Sequence, residues 1–66
     1  MCLSTVYSGE HPDPDMVILE YVTNIDVDGN TIRLYDIAGE KKEIIGTIHS
    51  IDLVKNAILI NQDIGA

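Results

Sequence analysis

One stretch decides the fold, and it reads VILEYVTNIDVDGNTIRLYDI over residues 17–37. Side chains of a β-strand point alternately to its two faces, and the first half of this stretch follows that period. We therefore predict a strand over residues 17–27. Its apolar face consists of Val17, Leu19, Tyr21, Ile25 and Val27, and its polar face of Glu20, Asn24 and Asp26.

A hairpin joins this strand to a second one, predicted over residues 30–37. The connecting pair is Asp28-Gly29, a strong hairpin signal because both turn positions favour positive φ. A two-residue turn at this place pairs Ile25 with Ile32. Partners across a ladder share a face, so the apolar residues of both strands are expected on one side of the sheet.

Two aliphatic residues, Ile18 and Val22, fall on the nominally polar face of the first strand. Exposed aliphatic side chains at these positions would suit a dimer surface. A tightly wound barrel that partly covers both faces of the strand explains them equally well. The sequence leaves both interpretations open.

Shorter segments on either side of the hairpin add further strands. Residues 2–8 are rich in β-branched and aromatic side chains and predict a first strand. Residues 9–15 contain two prolines, a glycine and several acids, so they predict a loop. Residues 57–61 predict a short last strand.

A long strand over residues 42–54 is predicted to be irregular. The phase of its apolar residues changes near His49-Ser50, where a β-bulge would return Ile51 and Leu53 to the core. Gly46 is a second irregular position, at which another backbone could approach closely.

These elements predict an all-β fold, namely a small SH3-like barrel of five to six antiparallel strands with no clear helix. A two-sheet sandwich is the other layout, but the chain is short for one. We interpret residues 1–66 as one β-barrel domain.

The composition indicates a homodimer. A chain of 66 residues buries only about 60% of its unfolded surface. One cysteine excludes an internal disulfide, and paired Cys/His clusters for structural zinc are absent from the sequence. A partner subunit is the remaining source of stability. The core is predicted to be aliphatic, since the chain has no Trp or Phe.

The formal net charge is −7, with 4 Lys+Arg against 11 Asp+Glu. This charge argues against binding to nucleic acid and to anionic membranes, both of which rely on Lys and Arg. It favours cations and basic partners. We expect no signal peptide and no membrane span, and therefore a cytoplasmic protein whose thiol stays reduced.

The amino terminus, Met1-Cys2, is the candidate metal site. The α-amino group, the Cys2 amide nitrogen and the Cys2 sulfur can close two five-membered chelate rings. Such a planar set suits Ni(II) or Cu(II). If Met1 is removed, Cys2 itself offers an amine and a thiolate, and two chains supply two of each. The plainer interpretation is that Cys2 is a small apolar residue that begins a strand.

The chain resembles the CooT family of nickel-binding accessory proteins of carbon monoxide dehydrogenase maturation. The likeness lies in the Met1-Cys2 start, the acidic hairpin with Asp28-Gly29, the segment GTIHSIDL over residues 46–53, and the pair Ile58-Leu59. The resemblance implies a dimeric SH3-like barrel in which Cys2 binds Ni(II) at the subunit interface. It also implies carbon monoxide dehydrogenase or its maturation proteins as partners. Some family members carry the label of predicted RNA-binding proteins, which the charge of this chain disfavours.

Other residues of the chain offer alternative sites and functions. His11 and His49 could be auxiliary nickel ligands, but each is more simply a polar surface residue. Glu10, Asp13 and Asp15 could hold Ca²⁺, although their spacing matches no EF-hand. We expect no enzymatic activity, because nothing orients Cys2 as a nucleophile. The main alternative is a non-catalytic protein-interaction module in which Cys2 is structural.

Overall fold

The computed structural model describes residues 3–63. It contains five strands, β1 to β5, and one short 3-10 helix between β1 and β2. The strands are β1 Ser4–Ser8, β2 Val17–Asp28, β3 Thr31–Asp36, β4 Lys41–Asp52 and β5 Ala57–Gln62, and the 3-10 helix is Pro14–Met16. Residue 2, with which the predicted first strand begins, lies outside the described residues. Residues 3–63 contain no helix that is long and apolar enough to cross a bilayer.

The strands close into a barrel in chain order. Consecutive strands pair antiparallel, while β1 and β5 close the ring as a parallel pair from Thr5↔Ala57 to Ser8↔Ile60. The predicted all-β barrel of five to six strands is therefore confirmed. Closure removes most of the unpaired strand edge that an open sheet of this size would expose to water.

The interior of the barrel is aliphatic, as the composition predicted. Its buried cluster comprises Val6, Val22, Ile32, Leu34, Ile44, Ile58 and Ile60. Every strand contributes to it, so the cluster ties the whole ring together. Burial of each such side chain contributes about 1.5–3 kcal/mol relative to exposure.

The β2–β3 hairpin forms with a different turn from the one predicted. The ladder ends at Asp28↔Thr31, so the turn residues are Gly29 and Asn30 rather than Asp28-Gly29, and Ile25 pairs with Leu34. Of the two turn residues only Gly29 has a positive φ, of 61°, as in a type II′ turn with glycine first. The register moves by two residues, so the prediction that both apolar sets share a face is retained.

A bulge in β2 overturns the predicted faces near Tyr21. Tyr21 has a φ of 58°, and the register shifts between Val22 and Asn24. This extra residue turns Tyr21 to solvent and Val22 into the core. The predicted apolar face is therefore wrong at Tyr21. The suggestion that Val22 lies on an exposed dimer surface is also wrong, and Ile18 packs half-buried against the core.

The irregular positions predicted in β4 are present, but the predicted burial of Ile51 and Leu53 is not. The register shifts between Ile48 and Ser50, which confirms a bulge at His49-Ser50. Ile51 then pairs with the buried Ile58, yet it stays half-exposed at the end of the barrel, and Leu53 lies beyond the strand in the turn. Their predicted return to the core is therefore wrong.

Gly46 in β4 is confirmed as a point of close backbone approach. A Cβ atom at this position would collide with the carbonyl oxygen of Asn61 in β5. The glycine thus allows β4 and β5 to pair closely.

Candidate metal centre

β1, which follows the predicted metal ligands in the chain, is held at its amino-terminal end by two neighbouring strands. Ser4 pairs with Val22 of β2, and Thr5 pairs with Ala57 of β5. The Thr5 amide also donates to the Asn56 carbonyl oxygen at 2.9 Å. The predicted ligands Met1 and Cys2 precede this end of β1 and lie outside the described residues.

A cleft of about 210 Å³ opens beside the start of β1. Its walls are uncharged, and they consist of Ser4, Val22, Thr23, Asn24, Ile25 and Ile58. The cleft lies where the β1–β2 ladder ends and β2 continues alone beside β3. Apolar and neutral polar side chains therefore line the surface next to the amino-terminal end of β1.

The turn that joins β4 to β5 lies against the same end of β1, and sequence reasoning missed its role. Asp52 Oδ1 accepts hydrogen bonds from the amides of Val54 at 3.0 Å and Lys55 at 2.9 Å. Asn56 has a left-handed φ of 54°, which Asn tolerates better than most residues. Asp and Asn are typical turn residues, so the sequence does predict a turn at Lys55-Asn56, but it gives no signal for the contact with β1.

The two histidines occupy separate elements. His11 lies exposed in the loop before the 3-10 helix, and His49 lies exposed at the bulge of β4. The His49 Nδ1 atom is 3.5 Å from Asn61 Nδ2, a long contact between neighbouring strands. These environments match the interpretation of both histidines as polar surface residues.

In the acidic loop, a carboxylate stabilises the local backbone. Asp13 caps the 3-10 helix, since its Oδ1 accepts from the Asp15 amide at 2.9 Å. Within residues 3–63, no three side chains of His, Cys, Asp or Glu group as ligands for a metal ion. The structure therefore does not bring Glu10, Asp13 and Asp15 together as a calcium site.

Two of the four basic side chains have partners within the barrel. Arg33 Nε donates to Glu43 Oε2 at 2.8 Å, and this hydrogen bond raises the pKa of the guanidinium above its usual value. Lys42 Nζ donates to the Ile18 carbonyl oxygen at 3.2 Å. Against 11 acidic residues, little positive charge is left to offer a phosphate backbone.

Comparison with protein families identifies the chain. The model of the family described as CO dehydrogenase accessory protein CooT matches residues 1–61 of the 66. The chain belongs to the CooT family. The match begins at Met1, so it includes the predicted ligand Cys2. No curated protein matches the chain.

Membership in the CooT family implies an accessory role to CO dehydrogenase and association with its maturation machinery. That role agrees with the expectation of a non-catalytic protein. It does not by itself specify the metal, the ligands or the number of subunits.

Proposed function

We propose that this CooT protein is a Ni(II) carrier for CO dehydrogenase maturation, and that Cys2 binds the metal at the interface of a homodimer. The observation that carries the proposal is the family match over residues 1–61, which includes the single cysteine of the chain. Nickel is here the cargo of the protein. An accessory protein of CO dehydrogenase maturation would pass its bound metal on to the enzyme or to another maturation protein.

The donor chemistry of the terminus fits nickel. A thiolate, an amide nitrogen and a terminal amine are ligands that favour tetragonal Ni(II). One chain cannot complete a sulfur-rich site, because it has one cysteine. In a symmetric dimer, residues near the two-fold axis meet their own copies, so two Cys2 thiolates can share one ion.

The fold supports this arrangement by fixing the chain close to the ligands. The Thr5 amide is bonded to Asn56, and the parallel β1–β5 pairing begins there. Three residues of extended chain span at most about 11 Å, which is the upper limit for the distance from Thr5 to Cys2. A reduced thiol, which the site requires, is consistent with the cytoplasmic compartment expected from the sequence.

Nickel titration of the wild type and of Cys2→Ser tests the proposal. We expect one Ni(II) per two wild-type chains by calorimetry, with a sulfur-to-nickel charge-transfer band in absorption. Cys2→Ser should lose both signals. His11→Ala and His49→Ala are the matched controls, since each removes a candidate ligand away from the terminus, and both should bind like the wild type. Unchanged nickel affinity in Cys2→Ser would rule out the site.

The same titration at several pH values tests the role of the thiolate. A cysteine thiol has an ordinary pKa of about 8.5 and must lose its proton to bind a metal. Protons therefore compete with nickel increasingly as the pH falls, and the apparent affinity should decrease in acid. Proton release should appear as a dependence of the binding enthalpy on the buffer. The mass of the intact chain then shows whether Met1 or Cys2 provides the amine.

The alternative is an interaction module that binds another protein without metal. One observation favours it, namely the exposed aliphatic side chains Leu53 and Val54 on the β4–β5 turn. This alternative predicts that Ni(II) leaves the absorption spectrum unchanged while the chain still binds a partner. The charge-transfer band therefore discriminates between the two functions.

A further inference from the structure

Tyr21 has a backbone conformation that its side chain does not favour. Its φ of 58° lies in the left-handed region, which Gly and Asn tolerate and in which a bulky residue is strained. Its ring is 60% exposed, so burial of the ring in the core does not compensate for this strain. Strain of this kind concentrates at binding and functional sites. The exposed ring is therefore a candidate contact for another molecule.

A second exposed apolar side chain lies next to Tyr21. The Ile37 amide donates to the Tyr21 carbonyl oxygen at 3.0 Å, and the Ile37 side chain is also 60% exposed. Ile37 begins the turn between β3 and β4. In this turn, Asp36 Oδ1 accepts hydrogen bonds from the amides of Ala38 and Glu40, both at 2.9 Å. The bulge and the turn thus hold two exposed apolar residues in fixed, neighbouring positions.

Carboxylates flank these two apolar residues. Glu20 precedes Tyr21 in β2, and Glu40 ends the turn that Ile37 begins; both acids are exposed. Neither carboxylate takes part in a hydrogen bond or an ion pair within residues 3–63. We call Glu20, Tyr21, Ile37 and Glu40 the bulge–turn patch. It adjoins the edge of β2 that pairs with β3, whereas β1 pairs with the other edge.

The nearby lysines leave the surroundings of the patch negative. Lys42 Nζ donates to the Ile18 carbonyl oxygen, and Lys41 follows Glu40 at the start of β4. These two ammonium groups face three carboxylates, because Asp36 of the turn adds its charge to those of the patch. The whole chain has a net charge of −7. A ligand of the patch should therefore be positively charged.

We infer that the bulge–turn patch binds an arginine-bearing segment of a partner protein. A guanidinium stacks on an aromatic ring and donates hydrogen bonds to carboxylates. The aliphatic stem of the same side chain can cover an apolar neighbour. The patch offers all three contacts, namely the Tyr21 ring, the two free carboxylates and the Ile37 side chain.

Other occupants fit the patch less well. Two copies of the chain that meet at this patch would bring like charges together, and a nucleic acid would bring phosphates to carboxylates. A partner protein also agrees with the accessory role of the CooT family, which requires association with other proteins. The inference rests on that role and needs neither nickel nor Cys2.

NMR of the tyrosine rings tests the inference in EDTA with a short peptide. The probe is acetyl-Leu-Arg-Leu-amide, and the comparison peptide has citrulline, which keeps the shape of arginine without its charge. We expect the arginine peptide to shift the ring signals of Tyr21 but not those of Tyr7 in β1. It should bind at least about fivefold more tightly than the citrulline peptide, the equivalent of one exposed cation–π contact.

Tyr21→Asn separates binding from stability. Asn tolerates the left-handed φ, so the bulge is retained and its strain is relieved. We expect this variant to unfold at a urea concentration no lower than the wild type does. Peptide binding, followed on the Ile37 methyl signals, should weaken at least about fivefold. A clearly lower urea midpoint would mean that the ring serves the stability of the fold, and this would overturn the inference.

Val27→Asn is the matched control for the contact. It also replaces an exposed apolar residue of β2, and this residue lies between two acids but away from the turn. We expect the variant to bind the arginine peptide like the wild type. Equal loss of binding in Val27→Asn and Tyr21→Asn would show that any apolar and acidic surface serves, and would overturn the patch.

The remaining outcomes separate this inference from the proposed function. Equal binding of the arginine and citrulline peptides would overturn it. So would Tyr21 signals that shift with the concentration of the chain alone, since a second copy would then occupy the patch. Cys2→Ser should bind the peptide like the wild type. A wild type that binds nickel but not the peptide overturns this inference alone, and one that binds the peptide but not nickel overturns the nickel carrier alone.

Discussion

At Gly46 the β4–β5 ladder has no room for a side chain. A glycine within a strand is ordinarily unfavourable, and Gly→Ala at an unobstructed position stabilises by about 0.5–1 kcal/mol. Here the added Cβ would meet the Asn61 carbonyl oxygen, which is backbone and cannot rotate away. We therefore expect Gly46→Ala to lower the free energy of unfolding by about 2 kcal/mol.

Urea unfolding measures this effect. Thr47→Ala is the control, because Thr47 is the exposed neighbour of Gly46 in β4, and we expect a change within about 0.5 kcal/mol. The sign of the Gly46 effect is decisive. If Gly46→Ala unfolds at a higher urea concentration than the wild type, the close approach of β5 is not real in solution.

The local backbone could be predicted from the residue type at Gly46 but not at Tyr21. A glycine inside a strand pattern indicates close approach, because little else explains it there. Tyrosine has no preference for the left-handed φ that it adopts at the β2 bulge. The signal for this bulge was instead the phase of Ile18 and Val22, which differs from that of the apolar residues further along β2.

At the scale of elements, the β4–β5 turn depends on one carboxylate. Asp52 Oδ1 accepts hydrogen bonds from the backbone amides of Val54 and Lys55. Hydrogen bonds to a charged group are worth more than neutral ones. We expect Asp52→Ala to destabilise the fold by about 1–2 kcal/mol, the range found for lost caps.

Two comparisons make the Asp52 experiment specific. Asp52→Asn keeps an oxygen acceptor and should recover most of the stability in urea unfolding. Glu20→Ala, at an exposed position of β2, should change it little. Should Asp52→Ala unfold like the wild type, the carboxylate would not be what fixes the turn.

The hairpin and the bulge of β4 could be predicted because their signals are local. Asp28-Gly29 predicts a turn, and a break in the alternation of apolar and polar residues along a strand predicts an extra residue. The choice between Asp28-Gly29 and Gly29-Asn30 as the turn depends on which register packs best against β4, a contact with residues further along the chain. The exposure of Ile51 has a similar cause, since it depends on where the barrel ends.

For the molecule as a whole, the all-β barrel and its aliphatic core followed from strand count and composition. Cys2 stays a prediction as the metal ligand, made because it is the single cysteine of the chain. The contacts at the amino-terminal end of β1 could not be predicted. The turn at residues 53–56 meets the start of β1 only through the parallel β1–β5 pair, whose members lie about 50 residues apart in the chain. No local pattern encodes that contact.

The excess of acidic residues should make stability depend on salt. With 11 acidic and 4 basic residues, repulsion between carboxylates opposes the compact state. NaCl screens charges beyond about 10 Å at 0.1 M and about 30 Å at 0.01 M. Stability should therefore increase between these concentrations by on the order of 1 kcal/mol, which is a rise in Tm of about 4–8 °C for a domain of this size.

Calorimetric scans at one protein concentration test this, since any self-association would also change Tm with concentration. The control removes charge without touching the core: Glu10→Gln combined with Glu20→Gln neutralises two exposed carboxylates. This variant should be more stable than the wild type at low salt and should gain less from added NaCl. A Tm that falls with NaCl would mean that attractive pairs such as Arg33–Glu43 outweigh the repulsion, and that the net charge is not what limits the stability of this barrel.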